Sequence, residues 1–168
     1  MNRMFKEIKE QPELIRKISK KYLIDGKLFS WKAPKKGKII ITGMGSSLFA
    51  AYPAYLRLLD HGYPVVWIDA SELLHYGLNS INKEDTLISI SQSGESFEVV
   101  EVIKRCPNND QIIGFTAQIK STMGKLCAET IDILSGTEES ITSTKAHTAI
   151  QRAEMTRRIE LEILRDIS

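Results

Sequence analysis

The sequence predicts an α/β fold, a three-layer αβα sandwich around a five-stranded parallel sheet of the flavodoxin-like kind. Three observations carry this expectation. Short β-branched runs alternate with helical segments, so the connections must cross over, which sets strands parallel and the crossovers right-handed. The runs are almost continuously apolar, as strands covered on both faces require. The 168 residues match the size of one compact core.

Residues 1–30 read as an N-terminal helical segment, in which Ile8, Leu14, Ile15, Ile18 and Tyr22 recur at three- and four-residue steps among charges. Pro12 interrupts that run and predicts a short helix followed by a longer one. A Pro34-Lys35-Lys36-Gly37 turn leads into an α/β core over residues 38–135. Its first strand is Lys38-Ile39-Ile40-Ile41-Thr42, ending at Gly43, and an apolar-rich segment over residues 46–61 follows. The second is Pro64-Val65-Val66-Trp67-Ile68-Asp69. Thr86-Leu87-Ile88-Ser89-Ile90, Gln111-Ile112-Ile113-Gly114-Phe115-Thr116 and Thr130-Ile131-Asp132-Ile133-Leu134 complete the set. Helices are expected over residues 96–105 and 121–127, and a last one over 143–168. The whole chain, 1–168, is expected to be a single domain with strand order 2-1-3-4-5.

Composition narrows the function. At 42% hydrophobic and 26% charged residues the chain resembles ordinary globular proteins, and a net charge of +2 does not point to nucleic acid. No run approaches the roughly 18 apolar residues of a membrane helix, and the N-terminus lacks an apolar signal core, so no membrane partner and a cytoplasmic location are expected. Cys106 and Cys127 form no CxxC and no metal-like grouping with His61, His75 or His147. They read as reduced core cysteines; neither metal nor cofactor is expected.

In a doubly wound sheet, ligands bind beyond the carboxyl ends of the strands, at the switch point between the first and third. The loops there are Gly43-Met44-Gly45-Ser46-Ser47 and Ser91-Gln92-Ser93-Gly94-Glu95-Ser96. Both are small and hydroxyl-rich, and the second opens a helix whose first amides lack intrahelical acceptors. This is chemistry for a phosphate dianion, with hydroxyls from Ser91, Ser93 and Ser96 and an amide from Gln92. The plainer alternative is that Ser96 caps its helix and the rest is a serine-rich turn. A dinucleotide fingerprint is incomplete, because Leu48 stands at the third glycine position. A third polar loop, from Gly136 to Lys145, precedes the last helix; its Thr142 or Ser143 serves either as a cap or as a sugar contact.

With these loops in view, the chain resembles the sugar isomerase (SIS) domain family and, more narrowly, the first of the two such domains of glutamine–fructose-6-phosphate aminotransferases. Gly43-Met44-Gly45-Ser46-Ser47 corresponds to the family's Cys-Gly-Thr-Ser loop, and Ala70-Ser71-Glu72-Leu73 to Ala-Ser-Glu-Phe. Ser91-Gln92-Ser93-Gly94-Glu95-Ser96 corresponds to Ser-Gln-Ser-Gly-Glu-Thr, and Gly136-Thr137-Glu138 with Ser143-Thr144-Lys145-Ala146 to Gly-Thr-Glu and Ser-Thr-Lys-Ala. The resemblance implies that Ser91, Gln92, Ser93 and Ser96 hold the 6-phosphate of a hexose or amino sugar, that Ser46 and Ser47 line the same pocket, and that Ile141 and Ser143 touch the sugar.

Departures from the family qualify the activity. The chain opens Met1-Asn2-Arg3, without the glutamine-hydrolysing cysteine, and the lysine and glutamate of a second SIS domain have no counterparts in it. The expectation is a phosphosugar-binding domain, catalytically incomplete alone, that works with a second SIS domain or as a homodimer. The alternatives are a phosphosugar sensor and a complete single-domain isomerase. For the latter, Glu138 and His147 are the candidate acid–base residues, and Glu95 is a weaker one that instead suits a role in setting its loop. His147 also reads as an ordinary helix histidine.

Overall fold

The computed structural model describes residues 3–21, 36–136 and 147–150. Five strands, β1 (Ile39–Gly43), β2 (Val65–Asp69), β3 (Thr86–Ile90), β4 (Ile112–Thr116) and β5 (Glu129–Asp132), form one sheet in the order β2-β1-β3-β4-β5. All four neighbouring pairs are parallel. The fold class and strand order expected from the sequence are those observed.

Helices cover both faces. On one side α1 (Arg3–Ser19), α2 (Ser46–Ala50) and α3 (Tyr52–Asp60) pack through Leu14, Ile18, Leu48, Ala54 and Leu58 onto Ile39, Ile41, Ile88 and Ile90. On the other side are α4 (Ala70–Glu72) with the π-helical turn Leu73–Gly77 that continues it, α5 (Phe97–Arg105) and α6 (Thr122–Leu126). Leu73, Val99, Val102, Ile103 and Met123 there meet Ile40, Leu87 and Ile112. β1, β3 and β4 are buried at every position, whereas the edge strand β2 is only partly covered.

Two local expectations need correction, and the apolar-rich segment over 46–61 takes a form its sequence left open. Pro12 lies inside a continuous α1 rather than dividing it. Proline removes the amide that Ile8 O would accept, but Pro12 is exposed and Ile8 is 40% exposed, so water can take that role. The segment over 46–61 is two helices, with the break at Ala51 where Pro53 cannot donate to Phe49 O. β5 stops at Asp132, because Leu134 turns out of the strand with φ 58. Of the last helix, residues 147–150 are described and helical, with Ala149 and Ile150 fully buried against the domain's own sheet.

Both cysteines are free and partly buried, and burial raises both thiols, Cys127 to about 12. They sit as inert thiols beside the core on the α5 side. Among the described residues no helix is long and apolar enough to cross a membrane, and no His/Cys/Asp/Glu group is arranged to hold a metal.

Candidate functional site

Gly43 and Ile90 are register partners at the carboxyl ends of β1 and β3, so the two serine-rich loops leave the sheet side by side. A Cβ on Gly43 would stand 2.8 Å from Ile90 O. Glycine is what lets the strands stay this close where they open into the crevice.

The β3 loop is built around Ser91, which is 2% exposed. Its Oγ lies 2.9 Å from Ser96 Oγ and accepts the Gly94 amide at 3.1 Å. Ser93 Oγ accepts the Glu95 amide at 3.2 Å and is exposed. The three hydroxyls expected to act together thus lie on one compact turn. Ser96 is the N-cap residue of α5, yet no side chain caps that helix. The capping alternative for Ser96 does not describe this structure: its hydroxyl faces Ser91, and the first-turn amides of α5 remain available to an external acceptor. Lys104 and Arg105 in the last turn and Glu98 in the first follow the ordinary helix-dipole distribution.

Neighbouring elements fix the loop. Gln92 O accepts the Ala117 amide and the Thr116 hydroxyl, and Gly94 O accepts the Met123 amide. Glu95 Oε1 accepts the Thr122 amide at 2.8 Å. The Thr122 amide and hydroxyl, with Lys125 nearby, hold the Glu95 carboxyl below its ordinary range. Tied to the Thr122 amide at the start of α6, the Glu95 carboxylate fastens the loop, the role its sequence setting suggested.

In the β1 loop, Ser46 and Ser47 open α2, where Ser47 N donates to Met44 O and no side chain caps the helix. His147 reaches this loop from the other end of the chain, its Nδ1 3.2 Å from Ser46 O. A carbonyl only accepts, so Nδ1 is the donor in this contact. Gln92 Nε2 donates to Gly136 O at 3.0 Å, which brings the beginning of the third loop to the same place. The structure therefore gathers Ser46, Ser47, Ser91, Gln92, Ser93, Ser96 and His147 at the carboxyl edge of the sheet. Glu138, Ile141 and Ser143 lie outside the described residues. The His147 contact was not legible in sequence, because it joins positions 101 residues apart.

Chemically, the β3 loop offers hydroxyls and helix-terminal amides to an anion without a fixed cation in hydrogen-bond contact among the described residues. Hydrogen bonds to a charged group contribute about 1.5–3 kcal/mol each, so three of them suffice to hold an anion without a lysine.

Comparison with known proteins agrees with this architecture. The chain is 30% identical over 147 residues to glutamine–fructose-6-phosphate aminotransferase of Pyrococcus horikoshii, covering 86% of this chain and 25% of that one. It is 34% identical over 91 residues to an arabinose 5-phosphate isomerase of Escherichia coli, covering 54% and 29%. The chain thus spans about a quarter of the length of the aminotransferases it matches. Glucosamine-6-phosphate deaminase of Thermotoga maritima superposes with a TM-score of 0.76 at 20% identity, over 96% of this chain and 49% of that one. The C-terminal domain of glucosamine-fructose-6-phosphate aminotransferase from Francisella tularensis superposes with a TM-score of 0.73 at 23% identity, over 98% and 51%. These two show a shared fold. Residues 33–153 match the SIS domain family, and to that family the chain belongs.

Proposed function

We propose that the chain is a phosphosugar-binding SIS domain that captures a hexose or amino-sugar 6-phosphate, related to the isomerase half of the aminotransferases and to sugar-phosphate isomerases and deaminases. The observation that carries this reading is the Ser91–Ser96 hydroxyl pair at the uncapped start of α5. Ser91, Ser93, Ser96 and the α5 amides take the phosphate, with Ser46 and Ser47 along the crevice wall. Ile141 and Ser143 take the sugar. Titration calorimetry with fructose 6-phosphate, glucosamine 6-phosphate and the free sugars tests it. The phosphates are expected to bind and the free sugars to bind far more weakly. Ser93→Ala should weaken phosphosugar binding about fivefold or more, the loss of one hydrogen bond to a charged group. Equal affinity for fructose and its phosphate would sink the reading.

Turnover is proposed to need a second SIS domain or a second copy in the cytoplasm. Phe49, Tyr52, Leu56 and Leu59 support such a partner, since they expose an apolar stripe along α2 and α3 beside Trp67 of the edge strand. The purified chain is then expected not to interconvert fructose 6-phosphate and its aldose at an enzymatic rate in a coupled assay.

The His147–Ser46 contact favours one second reading, a complete single-domain isomerase in which His147 Nε2 and Glu138 move the proton between C1 and C2. Turnover by the chain alone that His147→Ala removes would establish it.

A further inference from the structure

The sheet face beneath α4, α5 and α6 is apolar except along one row. Ile40, Leu87 and Ile112 mark that face on β1, β3 and β4. Residues two places further along a strand share its face, which puts Thr42, Ser89 and Gly114 there as well. Register sets them in a line across three strands: Thr42 pairs with Ser89, and Ser89 with Gly114. The line runs one residue below Gly43 and Ile90, where the two serine-rich loops leave the sheet. It is the underside of the crevice floor.

Thr42 and Ser89 are both 0% exposed, and neither hydroxyl has a hydrogen-bond partner among the described residues. Buried hydroxyls close by are all engaged. Ser91 meets Ser96 and the Gly94 amide, Thr116 donates to Gln92 O, and Ser121 accepts the Gly124 amide. An orphaned buried hydroxyl carries its full desolvation cost, and here two stand on neighbouring strands at one register position. The ends of the row are closed by apolar atoms and sulfur. Ile68 is the register partner of Thr42 on β2, and a Cβ on Gly114 would stand 2.8 Å from Cys127 Sγ and 3.3 Å from Met123 Cε. Nothing charged faces the two hydroxyls in the buried cluster around them. An ion would lie there uncompensated, so the chemistry that suits both is one small neutral molecule able to donate and accept.

We propose that Thr42 Oγ1 and Ser89 Oγ hold a single structural water between them, which pins β1 to β3 directly beneath the point where the site loops part. Neighbouring strands lie about 4.8 Å apart, a span that two water hydrogen bonds of about 2.8 Å each cross. Such a water serves polar groups that the surrounding apolar side chains cannot satisfy.

Two measurements on the full chain test this. Water-to-protein cross-relaxation by NMR is expected to show a long-lived water at the Thr42 methyl group, lost in Ser89→Ala. In urea unfolding, Thr42→Val and Ser89→Ala should each lower the folding equilibrium constant about fivefold or more, because each leaves the other hydroxyl orphaned. The double variant should lose less than the two single losses combined, since it removes both hydroxyls at once. Single variants as stable as the wild type, or more stable, would mean that the hydroxyls had no partner to lose and would overturn the proposal. Strictly additive losses would overturn it too, because the two would then share nothing. The wild-type NMR measurement decides the matter if a variant does not fold: no long-lived water at Thr42 ends the proposal. No ligand enters either measurement, so the outcome is independent of the phosphosugar reading.

Discussion

Gly94→Ala is expected to abolish measurable phosphosugar binding and to destabilise the fold by about 2–4 kcal/mol, combining left-handed strain with a steric clash. Gly94 sits at φ 67, where a side chain costs about 1–2 kcal/mol on its own. A Cβ there would meet Ser121 Oγ at 2.0 Å, Ser121 Cβ at 2.6 Å and Thr116 Oγ1 at 3.0 Å. Ser121 cannot simply swing aside, because its Oγ caps α6 by accepting the Gly124 amide at 3.2 Å. Losing such a cap costs roughly 0.5–2 kcal/mol. Nor can the loop lift away cheaply, since Gly94 O accepts Met123 N and Gly94 N is held by Ser91. The displaced turn carries Ser93 and Ser96 with it. Calorimetry and urea unfolding on the same sample measure both effects. Adding Ser121→Ala should rescue little, because the Ser121 Cβ remains in the way. A Gly94→Ala protein that binds fructose 6-phosphate like the wild type would show that this loop is not the anion site.

The same glycine shows how far the site was legible in sequence. Ser91, Ser93, Gly94 and Ser96 announce a donor-rich turn because residue type and local spacing decide that chemistry. Strands β1, β3 and β4 were legible because doubly covered strands leave continuous apolar runs, and the resulting crossover pattern limits the strand order. What local sequence did not carry were long-range outcomes. That Pro12 is tolerated depends on which side of α1 faces water, and the short β5 depends on Asp132 capturing the Leu134 amide. The contacts of His147 with Ser46 and of Gln92 with Gly136 join residues that only the completed sheet brings together. The short α4 and the π-helical turn after it were missed as well; Asp69, which caps α4 by accepting Ser71 N and Oγ, marks only the start of α4.

Asp85→Ala should leave the site intact and weaken the fold itself. Asp85 lies one residue before β3, at the edge of the sheet opposite the serine loops, with its side chain 2% exposed. Burial alone pulls its carboxyl upward. The amides of Asn82 and Lys38 and the Lys38 ammonium outweigh that effect, and the net result is a carboxyl below its ordinary range. Lys38 in turn donates to Ser80 O, so one carboxylate ties the start of β1 to the turn that enters β3. Removing it orphans the amides of Lys38 and Asn82 and leaves the Lys38 ammonium with Ser80 O alone among the described residues. Breaking a buried pair costs about 3–5 kcal/mol, and the lower end applies because the Lys38 side chain is 23% exposed and can hydrate. Urea unfolding at neutral pH measures this. The pH dependence gives an independent check. A carboxyl depressed in the folded state stabilises above its unfolded value of about 4 and loses that contribution as pH falls through the folded value. The gap between wild type and Asp85→Asn should therefore be widest at neutral pH and close as pH drops below about 4. A gap that stays constant into acid would mean that the charge of Asp85 adds nothing and that only the shape of its hydrogen bonds matters.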